Sequence, residues 1–146
     1  MSNREDKAVM IMMADDDADD RLLVKEAFEE NRLANPLLTV EDGEQLMDYL
    51  HRQNGYENAV LPSLILLDLN MPRKSGFEAL QEIKSDPKLR RIPVVILTTS
   101  KAEEDIVRSY DLGVNSFIVK PVTFEALVET VRELGKYWFQ IVELPN

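Results

Sequence analysis

Residues 64–72 read LILLDLNMP: four apolar residues, then an aspartate, then a segment that ends in proline. A continuous apolar run of this length is typical of a strand covered on both faces, as in a parallel sheet. Pro72 and Gly76 then favour a loop of defined conformation over a helix or a strand. The stretch therefore predicts an α/β fold in which Asp68 lies at the carboxyl end of a buried strand.

Three further apolar runs also end on polar residues of particular types. Residues 9–17 read VMIMMADDD, residues 94–100 read VVILTTS, and residues 117–121 read FIVKP. In open α/β sheets the ligand site lies at the carboxyl ends of the strands. The four runs therefore predict a single pocket lined by carboxylates, hydroxyls and one ammonium group.

Apolar runs alternate with amphipathic stretches five times, which predicts five βα units in one domain. The predicted strands are 8–14, 37–40, 64–68, 94–97 and 116–119, and the predicted helices are 18–33, 44–52, 77–85, 103–112 and 124 to at least 137. Gly113 is predicted to cap the fourth helix. We expect one domain over residues 1–146, with a core of about 8–136 and a C-terminal extension and tail at 137–146, leaving no residues for an output domain.

Composition narrows the class of protein. The chain has 146 residues, a formal net charge of −10 and no cysteine, which argues against a nucleic-acid partner and excludes thiol chemistry. No apolar run approaches the roughly 18 residues of a membrane span, and acidic residues interrupt the N-terminus before any signal-like apolar core. We expect a cytoplasmic protein that contacts neither membrane nor nucleic acid.

The triple aspartate at positions 15–17 predicts a metal site, because carboxylates gathered near Asp68 repel one another unless a divalent cation is shared. Mg²⁺ suits oxygen ligands of this kind. The alternative is a helix N-cap, which accounts for one of these acids, Asp17 or Asp19. The metal-binding pair is Asp15 with Asp16, which directly follow the strand, or Asp16 with Asp17.

The other strand-end residues favour phosphoryl chemistry. The carboxylate of Asp68 can act as a nucleophile toward phosphorus, and the hydroxyl of Thr98 can donate to a phosphoryl oxygen. Lys120 can serve as a point charge on phosphate, although it can also be a charged residue that simply leaves the sheet. The Lys120–Pro121 bond is a candidate for the cis form, which would aim the lysine across the strand ends.

Together these motifs resemble the receiver domains of two-component response regulators over residues 8–134. The resemblance implies a doubly wound sheet of order 2-1-3-4-5 and a phosphoacceptor at Asp68. It implies Mg²⁺, with Mn²⁺ as a substitute, held directly by Asp16, Asp68 and the Asn70 backbone carbonyl, with Asp15 acting through water. The implied phosphoryl-binding and switch residues are Thr98, Thr99, Lys120 and Phe117, and Asn70 and Ser100 would modulate dephosphorylation.

A finer resemblance is to single-domain regulators that pair with phytochrome-type histidine kinases. It rests on the long loop before residues 61–63, on residues 97–100 and 109–113, and on the tail at 137–145. It implies a histidine kinase of this type as partner. The chain would be a phosphoacceptor that promotes its own phosphorylation and dephosphorylation, not an enzyme with an external substrate, and its signal would leave through a protein–protein surface.

Two features of the sequence bear on how the predicted switch works and on which surface carries its signal. Many receivers carry tyrosine where this chain has Phe117, so a switch at that position would act through packing alone. Tyr137, Trp138 and Phe139 are consecutive, and on a helix they point about 100° apart, so they cannot all face one core. Because aromatic residues are enriched at interfaces, we expect a homodimer formed by the last helix and the tail, against the alternative that the tail folds back on its own sheet.

Three other classes of protein compete with this interpretation. A haloacid dehalogenase-type phosphatase also uses Asp, Thr and Lys at strand ends, but it needs a second aspartate where this chain has Asn70, and an amide cannot act as acid or base. A flavin-binding domain of the same fold class is disfavoured because no Gly/Ser/Thr-rich loop follows the first strand. A receiver-like scaffold that no longer accepts phosphate is the third.

Overall fold

The computed structural model describes residues 10–139, with side chains described as far as Tyr137. Predictions that fall on Ala8, Val9, the side chains of Trp138 and Phe139, and residues 140–146 lie outside this part of the chain. The described elements are β1 (Ile11–Ala14), α1 (Ala18–Glu30), β2 (Leu37–Val40), α2 (Gly43–Leu50), β3 (Leu64–Leu67), α3 (Gly76–Ser85), β4 (Val94–Thr98), α4 (Glu103–Asp111), β5 (Ser116–Val119) and α5 (Phe124–Leu134), followed by a π-helical segment (Gly135–Phe139).

All five strands are parallel and lie in the order β2-β1-β3-β4-β5, which confirms the predicted doubly wound sheet. The register pairs Ala14 with Leu67 at the ends of β1 and β3, and Thr98 with Val119 at the ends of β4 and β5. The polar residues that follow these strands therefore meet at one edge of the sheet.

The sheet separates two apolar layers, because successive side chains of a strand point to opposite faces. Met12 and Ala14 pack in the layer that includes α2 and α3. Ile11 and Met13 pack in the layer that includes α1 and α5. The continuous apolar runs of β1, β3 and β4 follow from this arrangement, since all of their residues are buried.

Helix ends differ by a few residues from the sequence prediction, for local reasons. Helix α1 ends at Glu30 and not at Leu33, because Arg32 adopts a left-handed φ of 56° and the N–H of Leu33 donates back to Phe28 O. Gly113, with a φ of 100°, ends α4 in the same way, which confirms the predicted cap.

At the C-terminal side, α5 ends at Leu134 and the chain continues as the π-helical segment through Phe139, so the helical conformation predicted to at least Tyr137 changes type one turn earlier. Between residues 10 and 139, none of the helices is both long and apolar enough to cross a membrane.

Candidate functional site

Asp68 lies directly after β3, and its side chain is buried at the carboxyl edge of the sheet. Its backbone N–H donates to Ala14 O at 3.0 Å, which continues the pairing of β3 with β1. Its Oδ1 accepts hydrogen bonds from Thr98 Oγ1 at 2.8 Å and from the Asn70 N–H at 3.1 Å. Its Oδ2 lies 3.0 Å from Lys120 Nζ. Two of the predicted phosphoryl-site residues, Thr98 and Lys120, thus contact this one carboxylate.

The metal ligands predicted on β1 also lie beside Asp68. One carboxylate oxygen from each of Asp15, Asp16 and Asp68 lies within 4.8 Å of the others. Asp15 is fully buried, whereas Asp16 is exposed. Asp15 Oδ1 accepts the N–H of Asp17 at 2.9 Å, which fixes the carboxylate against the turn into α1.

Asp17 has a different role, since its side chain caps α1. Its Oδ1 accepts the N–H groups of Asp19 at 2.8 Å and Asp20 at 3.3 Å. A carboxylate at the N-cap satisfies donors that the helix leaves unpaired. The structure therefore groups Asp15 with Asp16, and not Asp16 with Asp17, beside Asp68.

Lys120 joins three carboxylates. Its Nζ lies 2.7 Å from Asp15 Oδ2, 2.7 Å from Asp20 Oδ2 and 3.0 Å from Asp68 Oδ2. Its backbone N–H donates to Thr98 O at 2.7 Å, so the pairing of β5 with β4 continues to this residue and aims the side chain at the site.

The prediction of a cis bond at Pro121 is wrong, because the peptide bonds between residues 10 and 139 are all trans. The trans form is the intrinsically preferred one at bonds that precede proline, and with it Lys120 Nζ already lies 3.0 Å from Asp68 Oδ2, so the cis form is not needed to direct the lysine.

The electrostatics of the site are dominated by burial and by an excess of negative charge. Burial raises the pKa of Asp15 to about 6, against the opposing effect of Lys120. Burial alone would lower the pKa of Lys120, but its contacts with Asp15 and Asp20 outweigh this and raise it. The site therefore holds four carboxylates, those of Asp15, Asp16, Asp20 and Asp68, and one ammonium group, which contacts three of them.

This donor set fits a hard divalent cation. The Oδ2 atom of Asp15 is buried, and its partner at 2.7 Å is Lys120 Nζ, which it shares with Asp20 and Asp68. Carboxylates that are buried and share one ammonium group keep an excess of negative charge, which is costly unless a further cation reaches them. Oxygen ligands from several carboxylates are what Mg²⁺ and related ions prefer.

The predicted switch residues are distributed around this centre. Thr98 is fully buried, whereas Thr99 is exposed. Ser100 Oγ donates to Asp105 Oδ2 at 2.6 Å, which ties the β4–α4 loop to the first turn of α4. Phe117 is half-buried against the layer that includes α2 and α3, and its backbone N–H donates to Tyr110 Oη at 3.2 Å. Of these residues, only Thr98 contacts Asp68 directly.

Asp20 is a site residue that the sequence prediction missed. It lies in the first turn of α1, and its carboxylate contacts Lys120 across one hundred residues of sequence. The available signal was its place in the acidic run after β1, three residues beyond the helix cap Asp17. The sequence alone offers no sign that the partner would be Lys120.

Comparison with known proteins places the chain in a family. The model of the response regulator receiver domain matches residues 11–132. The chain is 40% identical to the response regulator Rcp1 of Synechocystis sp. over 145 residues, which cover 99% of each chain. It is also 39% identical to the probable methanogenesis regulatory protein FilR2 of Methanothrix harundinacea over 134 residues, 92% of this chain and 85% of that protein.

Two solved structures show the same fold with similar sequences. The phosphorylated cyanobacterial phytochrome response regulator RcpA superposes with a TM-score of 0.88 at 43% identity, covering 95% of this chain and 99% of that one. The Mn²⁺-bound form of Rcp1 superposes with a TM-score of 0.86 at 40% identity, covering 94% of this chain and 99% of that one. With a family model over most of its length and relatives of this similarity, the chain belongs to the response regulator receiver domain family.

Proposed function

We propose that this chain accepts a phosphoryl group on Asp68 from the phosphohistidine of a histidine kinase. The observation that carries the proposal is that the Asp68 carboxylate contacts Thr98 and Lys120 and lies within reach of Asp15 and Asp16. Membership of the receiver family supports transfer to an aspartate. A carboxylate oxygen of Asp68 would attack phosphorus, the P–N bond would break, and the imidazole would leave.

Asp15, Asp16, Asp68 and the Asn70 carbonyl would hold Mg²⁺, and Mn²⁺ would substitute for it. The Mn²⁺-bound form of the relative Rcp1 supports a divalent cation in this family. The bound cation would neutralise the charge that develops on the phosphoryl oxygens. Lys120 would contact the same oxygens from the other side of Asp68, and Thr98 would move its hydroxyl from Asp68 to a phosphoryl oxygen.

The decisive experiment is the intact mass of the protein after incubation with acetyl phosphate and Mg²⁺. We expect a labile gain of one phosphoryl group, and no gain in Asp68→Asn or after chelation of the metal. Asp105→Asn removes a carboxylate from α4 instead and should still gain the group. No gain in the wild type, either from acetyl phosphate or from a phosphorylated kinase, would reject the proposal and leave a binding scaffold.

The partner of this chain is inferred to be a phytochrome-type histidine kinase. Support comes from the solved relative RcpA, whose name makes it a cyanobacterial phytochrome response regulator. The test is phosphotransfer from radiolabelled kinases. Transfer from a phytochrome kinase should be complete before transfer from a kinase of another class is detectable. Equal rates from both would reject the pairing but would leave the receiver function intact.

Output would occur through a protein surface that changes when Thr98 moves. Thr98 lies at the end of β4, next to the loop that Ser100 ties to α4. A displacement of its hydroxyl would therefore reach α4 and β5, with Phe117 packing into the space that Thr98 leaves. A Thr98→Ala protein that accepts phosphate normally and still switches its partner would contradict this mechanism.

We also propose that the chain forms a homodimer through α5 and the segment that starts at Tyr137. Tyr137 is 62% exposed at the end of the described side chains. Sedimentation equilibrium at micromolar concentration, with and without acetyl phosphate, tests this. A monomer under both conditions would exclude the dimer.

A further inference from the structure

The β3–α3 loop, residues 69–75, is joined to the start of α2 by an ion pair whose carboxylate is buried. Arg73 Nη1 donates to Asp42 Oδ2 at 3.0 Å. The other oxygen of Asp42 accepts the N–H of Gln45 at 2.8 Å and so caps α2. The Asp42 side chain is only 4% exposed, whereas that of Arg73 is 64% exposed. Because a buried carboxylate is stable only when charges and donors surround it, Arg73 holds the loop to α2.

The backbone of Arg73 is constrained as well as its side chain. Its φ is 66°, in the left-handed region that residues other than glycine adopt at an energetic cost. A conformation of this kind persists where the surrounding contacts enforce it. The ion pair with Asp42 is such a contact, so it fixes the path of the loop at its midpoint.

Both ends of the loop lie against main-chain atoms. The N–H of Gly43 donates to Lys74 O at 3.1 Å, and a Cβ on Gly43 would lie 2.2 Å from that oxygen. The N–H of Gly76 donates to Leu69 O at 2.9 Å, and a Cβ on Gly76 would lie 2.2 Å from Asp68 O. A shift of the loop at residue 73 is therefore transmitted to the backbone of residues 68–70.

We propose that Arg73 and Asp42 are positioning residues for the cation site. Their ion pair fixes the loop backbone that supplies the Asn70 carbonyl, although neither residue contacts the cation or the phosphoryl group. This inference rests on the proposed function, because it assumes that Asn70 is a ligand. It adds a determinant of metal affinity that lies outside the strand-end carboxylates.

Electrostatics and positioning predict opposite effects of Arg73→Ala on Mg²⁺ affinity. Loss of a cation near an acidic site would by itself tighten Mg²⁺ binding. Loss of a positioning contact should instead weaken Mg²⁺ binding by about tenfold. This is the lower end of the effect seen when a residue that orients a metal ligand is removed. The matched control is Lys74→Ala, which removes the same charge one residue away but breaks an ion pair with Glu82 of α3 and leaves the contact with α2 intact. Its Mg²⁺ affinity should equal or exceed that of the wild type.

A double-mutant cycle tests whether the two residues act as one unit. Asp42→Asn keeps an N-cap side chain, so α2 should remain intact. Mg²⁺ affinities, measured by titration calorimetry, should fall in Asp42→Asn and in Arg73→Ala. The double variant should bind Mg²⁺ no more weakly, within about twofold, than the single variant with the lower affinity. Losses that multiply would show that the residues act separately and would overturn the inference.

Amide hydrogen exchange provides a readout without metal. In chelated protein, the N–H groups of Asn70, Gly43 and Gly76 should exchange faster in Arg73→Ala than in the wild type or in Lys74→Ala. Amides of α5 should not change, which separates loop loosening from global destabilisation. If Arg73→Ala showed unchanged exchange and wild-type Mg²⁺ affinity, the inference about Arg73 and Asp42 would be rejected, but the proposed function would stand. A wild type that binds no Mg²⁺ would instead reject the proposed metal ligands, whatever the exchange result.

Discussion

Thr98 Oγ1 donates a 2.8 Å hydrogen bond to Asp68 Oδ1, and both side chains are buried. The hydroxyl that we propose as the switch is therefore already engaged with the carboxylate that we propose as the phosphoacceptor. The same bond contributes to folding, because a buried carboxylate that loses a donor is left partly unsatisfied.

We expect Thr98→Val to reduce the free energy of unfolding of the metal-free protein by about 1–3 kcal/mol, since valine keeps the shape but not the hydroxyl. Thr98→Ser keeps the donor and should lose less. Urea unfolding in the presence of a chelator measures both. A loss in Thr98→Ser with none in Thr98→Val would mean that packing of the methyl group, and not the hydrogen bond, determines the stability.

Substitutions of the neighbouring residues Asp16 and Asp17 should have different effects, because we propose Asp16 as a metal ligand and Asp17 caps α1. Asp16→Asn removes a carboxylate grouped with Asp15 and Asp68, so Mg²⁺ affinity should fall by more than about tenfold. Asp17→Asn makes the same charge change but keeps a capping side chain, so both affinity and helix stability should be nearly unchanged. Calorimetric titration with Mg²⁺ decides; equal losses in both variants would show a general charge effect and not a specific ligand.

The raised pKa of Asp15 gives the metal-free protein a pH-dependent loss of stability. Burial raises this pKa to about 6 from an ordinary value of 3.8, so the folded state binds the proton more tightly than the unfolded state does. The stability that protonation contributes is complete below pH 3.8 and is lost as the pH rises through about 6.

Chelated wild type and Asp15→Asn should therefore be compared by urea unfolding between pH 4.5 and 7. The advantage of the wild type over the variant should shrink as the pH rises, because only the wild type carries the titrating group. All other acids titrate in both proteins and cancel in the difference. A difference that stays constant over this range would mean that Asp15 ionises at its ordinary pKa.

Site residues that end or directly follow a strand could be predicted from the sequence, whereas those on helix starts and loops could not. Asp68, Thr98 and Lys120 each follow an apolar run, and parallel pairing alone brings strand ends to one edge, so these residues were predictable. Asp20 and the pair of Asp42 with Arg73 lie on helix starts and a loop. Their partners depend on the path of the loops between the strands, which no periodic pattern specifies.

The choice among the three consecutive aspartates also required the structure. Sequence could assign one of the acids at 15–17 to a helix cap but could not say which, because the residue at which α1 begins decides it. The cis prediction at Pro121 was also wrong. Proline permits that isomer, but Lys120 Nζ reaches Asp68 with the trans bond, so the orientation that the cis form was invoked to explain does not require it.

Lys120 should be the main source of stability for the carboxylates when no metal is bound. Lys120→Met leaves Asp15, Asp20 and Asp68 without their shared cation, and breaking a buried charge pair in this way costs about 3–5 kcal/mol. Mg²⁺ can supply the missing charge, so saturating Mg²⁺ should stabilise Lys120→Met more than it stabilises the wild type. Urea unfolding with and without Mg²⁺ measures both the loss of stability in Lys120→Met and the stabilisation by Mg²⁺.

The matched control for this prediction is Lys84→Met. Lys84 is also partly buried, but its Nζ donates to the carbonyl oxygens of Arg90 and Ile92, away from the acidic site. This variant should lose stability because two carbonyl oxygens lose their donor, and yet it should respond to Mg²⁺ as the wild type does. If Mg²⁺ instead stabilised all three proteins equally, Lys120 and the cation would not share the same carboxylates, and the proposed site would need different ligands.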